Sequence, residues 1–254
     1  MIWRNIKKLP SLLFVLSFVT ACSSGGNPTV ESPITGEPVT GICANDYYPV
    51  RQGATWSYKS TGSPAGDYGF TDTISAVKED GFTLSSKLGD ITRTQEWSCK
   101  EEGLAALQLG GPSVATLNSQ DMDFTFDVKK VEGVTYPAEM KPGGAWQHLL
   151  ELEGTKKIAG EPSTAEGNAQ TAFTVLGTES VTVPAGTFEA MKIQTDINLV
   201  LTIKIQDIAV PASFSGSYTY WYAKGVGWVK AEGPGNITGT SFTETIELQS
   251  YSIP

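Results

Sequence analysis

From Asp46 to the C-terminus, apolar and polar residues alternate in short runs separated by Gly, Pro, Asn and Asp. The first group of runs is Ala54–Lys59, Phe70–Val77, Phe82–Lys87, Ile91–Cys99 and Leu104–Leu109. The second is Thr171–Leu176, Val181–Val183, Phe188–Thr195, Leu199–Ile208, Phe214–Tyr222, Gly227–Ala231 and Phe242–Tyr251. A period of two carried by β-branched and aromatic residues is the signature of half-buried strands, and no long helical period interrupts it. Only Trp146–Glu153 fits a 3.6 spacing, over two turns, so it reads as either a strand or a short helix. In Val183-Pro184-Ala185-Gly186 the proline suits the second and the glycine the fourth position of a type I turn, joining Val181–Val183 to the run that follows. Along Phe214–Tyr222, the residues Phe214, Tyr218, Tyr220 and Tyr222 share one face and Trp221 takes the other. The expected fold is therefore all-β and antiparallel, a half-barrel or a sandwich-like domain, with little helix.

One arrangement occurs twice. Tyr48-Pro49 with Gly53-Ala54-Thr55-Trp56 is echoed by Tyr136-Pro137 with Gly143-Gly144-Ala145-Trp146. Proline fixes the way into a turn, glycine permits positive φ, and the tryptophan opens a strand by burying a large ring. This pattern fits a duplicated half-domain, with two related half-sheets around one core.

The N-terminus differs from everything after it. Arg4, Lys7 and Lys8 precede an apolar stretch from Leu12 to Val19, too short for a membrane span, and the run Val19-Thr20-Ala21 ends at Cys22. Residues 1–21 read as a signal peptide. The run ending at Cys22 resembles the lipobox of bacterial lipoproteins, which implies lipidation of Cys22, cleavage before it and anchoring by several acyl chains. Ser23 follows where an Asp would hold such a protein at the inner membrane, so the expected address is the outer membrane. Residues 22–45 are rich in Gly, Pro, Ser and Thr and form a lipidated flexible tether of roughly 25 Å; residues 46–254 form a single β-rich domain.

Removing residues 1–21 takes away three basic residues and no acidic one, making the formal net charge of −9 more negative by three. A body this acidic does not suit a phosphate backbone, so nucleic acid is excluded as a partner. With Cys22 lipidated, Cys43 and Cys99 remain as an even pair in an oxidising compartment and are expected to form a disulfide, stabilising the fold by roughly 4 kcal/mol in the chain-entropy account. Those two cysteines and His148 are too few for a structural zinc site.

Catalytic signals are sparse. The single histidine, His148, has no nucleophile motif near it and reads as a half-buried sheet residue. Gly225-Val226-Gly227 and Gly233-Pro234-Gly235 lack the third glycine and the helix of a dinucleotide site, and both read as hairpin turns. Asp121, Asp123, Thr125, Asp127 and Glu132 fall on the ligand positions of a calcium loop, but Phe126 stands where a sharp turn needs glycine. The alternation there describes a strand with its carboxylates in solvent. No cofactor and no metal site is expected. Aromatic residues are the remaining clue: Trp56, Trp146, Tyr218, Tyr220 and Tyr222 are candidates for lining a ligand-binding concavity.

Three stretches carry a family resemblance: Tyr48-Pro49-Val50-Arg51-Gln52-Gly53-Ala54-Thr55-Trp56-Ser57-Tyr58, Val181-Thr182-Val183-Pro184-Ala185-Gly186-Thr187-Phe188-Glu189-Ala190 and Trp221-Tyr222-Ala223-Lys224-Gly225-Val226-Gly227-Trp228-Val229-Lys230. They resemble bacterial envelope lipoproteins related to the DUF3108 and TapB-like families. The resemblance implies an antiparallel β domain similar to the half-barrels of LolA-like lipoprotein carriers, and no known catalytic residue. The expected function is that of an envelope lipoprotein whose non-catalytic β domain binds a partner protein or an apolar ligand. The alternative is a hydrolase of envelope polymers working through a carboxylate pair. Radiolabelled palmitate should label the wild-type protein and not a Cys22→Ala variant; continued labelling of that variant would refute lipidation at Cys22.

Overall fold

The computed structural model describes residues 40–64, 66–110, 125–158, 161–205 and 208–254. Cys22, with the leader and most of the tether, lies outside them, as do Asp121 and Asp123. The described residues hold thirteen strands and no helix: β1 Thr55–Thr61, β2 Tyr68–Val77, β3 Gly81–Leu88, β4 Ile91–Lys100, β5 Gly103–Ala106, β6 Thr125–Gly133, β7 Tyr136–Pro137, β8 Ala145–Ile158, β9 Glu161–Val183, β10 Gly186–Ile205, β11 Ile208–Ala223, β12 Gly227–Ile237 and β13 Thr240–Ser252. They form one antiparallel sheet, ordered β6-β8-β9-β10-β11-β12-β13-β1-β2-β3-β4-β5-β7, curled into a half-barrel. Two meanders, β8 to β13 and β1 to β5, are joined where β13 pairs with β1.

The two edges of this sheet, β6 and β7, are consecutive in the chain. One segment thus pairs with β8 through residues 125–133 and with β5 through residues 136–137. Between them, Thr135 donates its N–H to the Leu104 carbonyl at 2.8 Å, and its hydroxyl accepts from the Ala106 N–H at 3.1 Å. Its carbonyl accepts from Trp146 Nε1 at 3.2 Å. The bend requires Gly133, at φ 74, because a Cβ there would lie 2.0 Å from the Gln147 carbonyl oxygen.

The repeated sequence element is repeated in structure. Gly53 donates to the Ile74 carbonyl, Ala54 to that of Arg51, and Ile74 back to that of Ala54; Gly143, Gly144 and Val175 make the same three bonds with Val175, Lys141 and Gly144. Gly53 and Gly143 have φ of 84 and 78, and each turn delivers its tryptophan at the second residue of a strand, β1 or β8. The core falls into two clusters, and both copies of the turn pack into the same one. One cluster gathers around Tyr48, Trp56, Phe82, Trp97 and Ile246; the other, around Leu150, Leu199, Leu201 and Phe214, lies between the long strands β8 to β12.

The Cys43–Cys99 disulfide is present, with its Cα atoms 5.0 Å apart. It ties the chain before β1 to β4, so Cys43 is buried and Asn45 Nδ2 donates to the Pro137 carbonyl at 2.9 Å. The packed body thus starts a few residues before Asp46.

Of the two readings of Trp146–Glu153, strand is the one observed, within β8. Other expectations need correction. Thr171–Leu176 and Val181–Val183 are one strand, β9, which also takes in residues 161–170; there the inward positions Ala165, Gly167 and Ala169 are too small to give an apolar signal. Of Leu104–Leu109, only Leu104–Ala106 is strand, in β5, although the Leu107 N–H still donates to the Glu96 carbonyl at 2.8 Å. Gly225-Val226-Gly227 does join β11 to β12, but Gly233-Pro234-Gly235 lies inside β12. A Cβ on Gly233 would lie 2.2 Å from the Ser217 carbonyl oxygen, and one on Gly235 would lie 2.3 Å from the Phe242 ring; these glycines serve close approach and not a turn. Pro234, which has no N–H to give, sits where the β11–β12 ladder is interrupted between the Gly216–Gly235 and Thr219–Glu232 pairs.

The β12–β13 turn is Thr238-Gly239, with φ 45 and 89. Positive φ at both central residues is the type I′ condition, which favours Asn-Gly, and a β-branched residue is strained there. Thr238→Asn is therefore expected to stabilise the protein by about 0.5–1 kcal/mol, measured as a higher midpoint in urea unfolding with unchanged slope.

Candidate functional site

The inward-facing side chains of the curled sheet do not fill it completely. A cavity of about 180 Å³ remains between the two core clusters. Its walls come from nearly every strand: Asp72 from β2, Leu84 and Ser86 from β3, Gln95 and Trp97 from β4, His148 and Leu150 from β8, Ala169 and Thr171 from β9, Thr195 and Leu199 from β10, and Tyr220 and Tyr222 from β11. Tyr48 and Tyr136 line it as well.

Tyr48 organises the aromatic wall. Its ring stacks with Tyr136 at 4.7 Å, Trp97 at 5.5 Å, Phe82 at 5.6 Å and Trp56 at 5.8 Å. These rings come from β7, β4, β3 and β1, so a residue that precedes every strand is placed at the centre of the half-barrel. Beyond it Trp228 stacks on Tyr58 at 3.9 Å and meets Tyr220 edge-on at 5.7 Å.

Asp72 is the one carboxylate among the described lining residues. It stands on the inner face of β2 with Phe70 and Ile74, opposite Trp56 on β1 and Ser86 on β3. Ser86 Oγ donates to its Oδ1 at 2.5 Å. Burial nevertheless dominates and pushes the carboxyl up from 3.8 to about 6. No lysine or arginine among the described residues forms an ion pair with it. Its negative charge helps to raise the already desolvated hydroxyls of Tyr48 and Tyr58.

His148 is more deeply buried than a half-exposed sheet residue, at 6% exposure. Burial holds its imidazole below the usual 6.5, assisted by the charge of Lys100 and opposed by a hydrogen bond with the Ala106 backbone across the seam. Among the described residues its Nε2 has no partner, and neither has the Oγ1 of Thr195, which is 2% exposed.

A more deeply buried carboxylate lies outside the cavity wall. Glu244, on β13, accepts from Ser60 Oγ at 2.5 Å and from the Tyr68 hydroxyl at 3.0 Å. Its charge, after burial, keeps the hydroxyls of Tyr68, Tyr218 and Tyr220 well above their usual range.

Of the aromatic residues singled out from the sequence, Tyr220 and Tyr222 line the cavity. Tyr218 shares their face but is packed in the second core cluster beside Glu244. Trp56 is core, with Nε1 donating to the Val226 carbonyl at 2.6 Å. Trp146 stacks on Phe173 at 4.9 Å and holds the seam through Thr135. Trp221 takes the opposite face, as its alternation requires; its Nε1 donates to Glu179 Oε1 at 2.7 Å, and the amino groups of Lys192 and Lys230 lie 5.4 and 5.0 Å from its ring centre. Asp72, Ser86, Gln95 and Thr195 went unnoticed in the sequence. Asp72 did leave a sign, a carboxylate in phase with Tyr68, Phe70 and Ile74. Of the positions considered for calcium, Asp127 is exposed on β6 and Glu132 pairs with Lys130 at 2.5 Å.

An antiparallel half-barrel with an aromatic-lined interior defines the structural class, and the sequence places the chain within it. The DUF3108-like family matches residues 92–240, and the chain belongs to that family. No curated protein matches it. Among solved structures, it is similar to a candidate exported protein of YmcC-like fold from Bacteroides fragilis, at 15% identity and a TM-score of 0.52, covering 82% of this chain and 100% of that one. It is also similar to a candidate lipoprotein from Parabacteroides distasonis, at 14% identity and a TM-score of 0.50, covering 83% of this chain and 99% of that one. At these identities the likeness is one of fold.

Because the folded state raises the Asp72 carboxyl to about 6, it holds that proton more tightly than the unfolded chain does. The carboxylate therefore costs stability above about pH 6 and costs none below about pH 4. Asp72→Asn is expected to stabilise the fold by up to about 3 kcal/mol near pH 8 and by close to nothing near pH 4; denaturant unfolding at the two pH values checks this.

Proposed function

We propose that this protein is a lipid-anchored component of the bacterial cell envelope, held at the outer membrane through Cys22, and that its half-barrel binds a small, largely apolar ligand inside. The observation that carries the binding reading is the interior cavity, about 180 Å³ in volume and walled by aromatic and aliphatic side chains with a few polar groups. That composition is what small-molecule sites share, a mostly apolar concavity with a few convergent polar atoms. The volume suits a ligand of modest size, since a cavity near 150 Å³ accommodates benzene. The envelope address draws on the lipobox-like run ending at Cys22 and on the descriptions of the two similar structures as exported protein and lipoprotein. A partner protein on the outer face has no comparable observation behind it. Nor does a carboxylate pair: Asp72 faces the cavity, whereas Glu244 is engaged by Ser60 and Tyr68 outside its wall.

Titration of the mature soluble domain with benzyl alcohol is expected to shift the backbone amide resonances of the lining residues Thr171, Phe173 and Thr195. Ala169→Phe, which projects a ring into the cavity between Leu150 and Leu199, should weaken that binding at least about tenfold, each tenfold being 1.4 kcal/mol. Absence of shifts at the lining, or undiminished binding by the filled variant, would overturn the ligand-binding reading.

A further inference from the structure

We propose that the cavity is a site for a small organic cation, an amine or ammonium group on a short apolar body, with Asp72 as its counter-ion. The inference rests on the reading that the cavity holds a ligand, and it names the chemistry of that ligand.

Removing a carboxylate from water is costly unless a cation or several donors replace the lost hydration. Asp72 has one donor, Ser86, and no lysine or arginine lines the cavity among the described residues. A cationic ligand would supply the missing partner, and an anionic one would meet repulsion.

Tyr48, Trp97, Tyr220, Tyr222 and Trp228 surround the same space. The faces of such rings carry negative potential and attract an ammonium group, most strongly where water is excluded. The field of Asp72 reaches this wall, because it raises the hydroxyl of Tyr48.

His148 Nε2 and Thr195 Oγ1 both belong to lining residues, both residues are more than nine-tenths buried, and neither atom has a partner among the described residues. With the imidazole kept neutral by burial and bonded to the Ala106 backbone, Nε2 is left as an acceptor. The carboxylate and the imidazole lone pair accept hydrogen bonds and the hydroxyl can accept as well as donate, so the lining offers acceptors at several points to a protonated amine, a ligand made of donors.

The test compares isosteres. Benzylamine, which is protonated near pH 7.5, benzyl alcohol and benzoate are titrated into the mature soluble domain and into its Asp72→Asn and Asp72→Glu variants, with affinity read from amide shifts of lining residues. The amine is expected to bind at least about tenfold more tightly than the alcohol, and benzoate not at all. Asp72→Asn should erase the preference for the amine, and Asp72→Glu should keep a preference. Alcohol binding that equals or exceeds amine binding in the wild type would overturn the cation assignment and leave the apolar-ligand reading standing. An amine preference that survives Asp72→Asn would remove Asp72 as the counter-ion. If no compound shifts the lining, both readings fall together.

Discussion

The position of one ring, that of Tyr48, underlies the rest of the structure. A sheet curled this far presents a concave face whose inner side chains must meet something apolar, and no helix among the described residues supplies it. Tyr48 does so by stacking on rings from β1, β3, β4 and β7 at once. Each contact of this kind is worth about 0.5–1.5 kcal/mol beyond simple burial. The neighbouring constraints hold it there: the Cys43–Cys99 disulfide a few residues earlier, the Asn45 bond to Pro137, and the Gly225 N–H that donates to the Asp46 carbonyl at 2.7 Å.

The same economy appears at the seam. Exposed sheet edges invite pairing with other chains, and proteins cover them or bend them away. Here one segment, 125–137, serves both edges, and Thr135 uses its N–H, carbonyl and hydroxyl to tie β5 to β8. The duplicated turn explains why this is possible. The Tyr-Pro of each copy leads into a glycine turn and a tryptophan strand, so Tyr48 and Tyr136 arrive at the same place and stack on each other.

A half-barrel whose inner face is incompletely filled keeps room in its middle. Alternation places an inward residue at every second position, and where those residues are small or polar, as at Ala169, Thr171, Thr195 and Asp72, the interior stays open. A carboxylate in such a place weakens the fold at neutral pH, and a sequence selected for stability alone would not keep it. The cavity therefore combines two features that packing does not explain, unfilled volume and a carboxylate held by a single hydroxyl donor.

Much of the architecture was legible in the chain. The period of two announced strands, the Pro-Ala-Gly turn after Val183 announced a hairpin, the repeated Tyr-Pro, Gly, Trp pattern announced a duplication, and two cysteines left after Cys22 announced the Cys43–Cys99 bond. These are local or compositional signals, because strand periodicity, turn chemistry and cysteine parity depend on near neighbours or on counting. Three things lay beyond their reach: the extension of β9 through small residues, the role of Gly233 and Gly235, and the gathering of Asp72, His148 and Thr195 around one space. Whether a glycine makes a turn or admits a neighbouring carbonyl depends on what lies across the sheet. Whether an inward aspartate meets a cation, water or a cavity depends on how far the sheet curls and on which distant strand comes to face it. Those are properties of long-range pairing, and only the tertiary structure decides them.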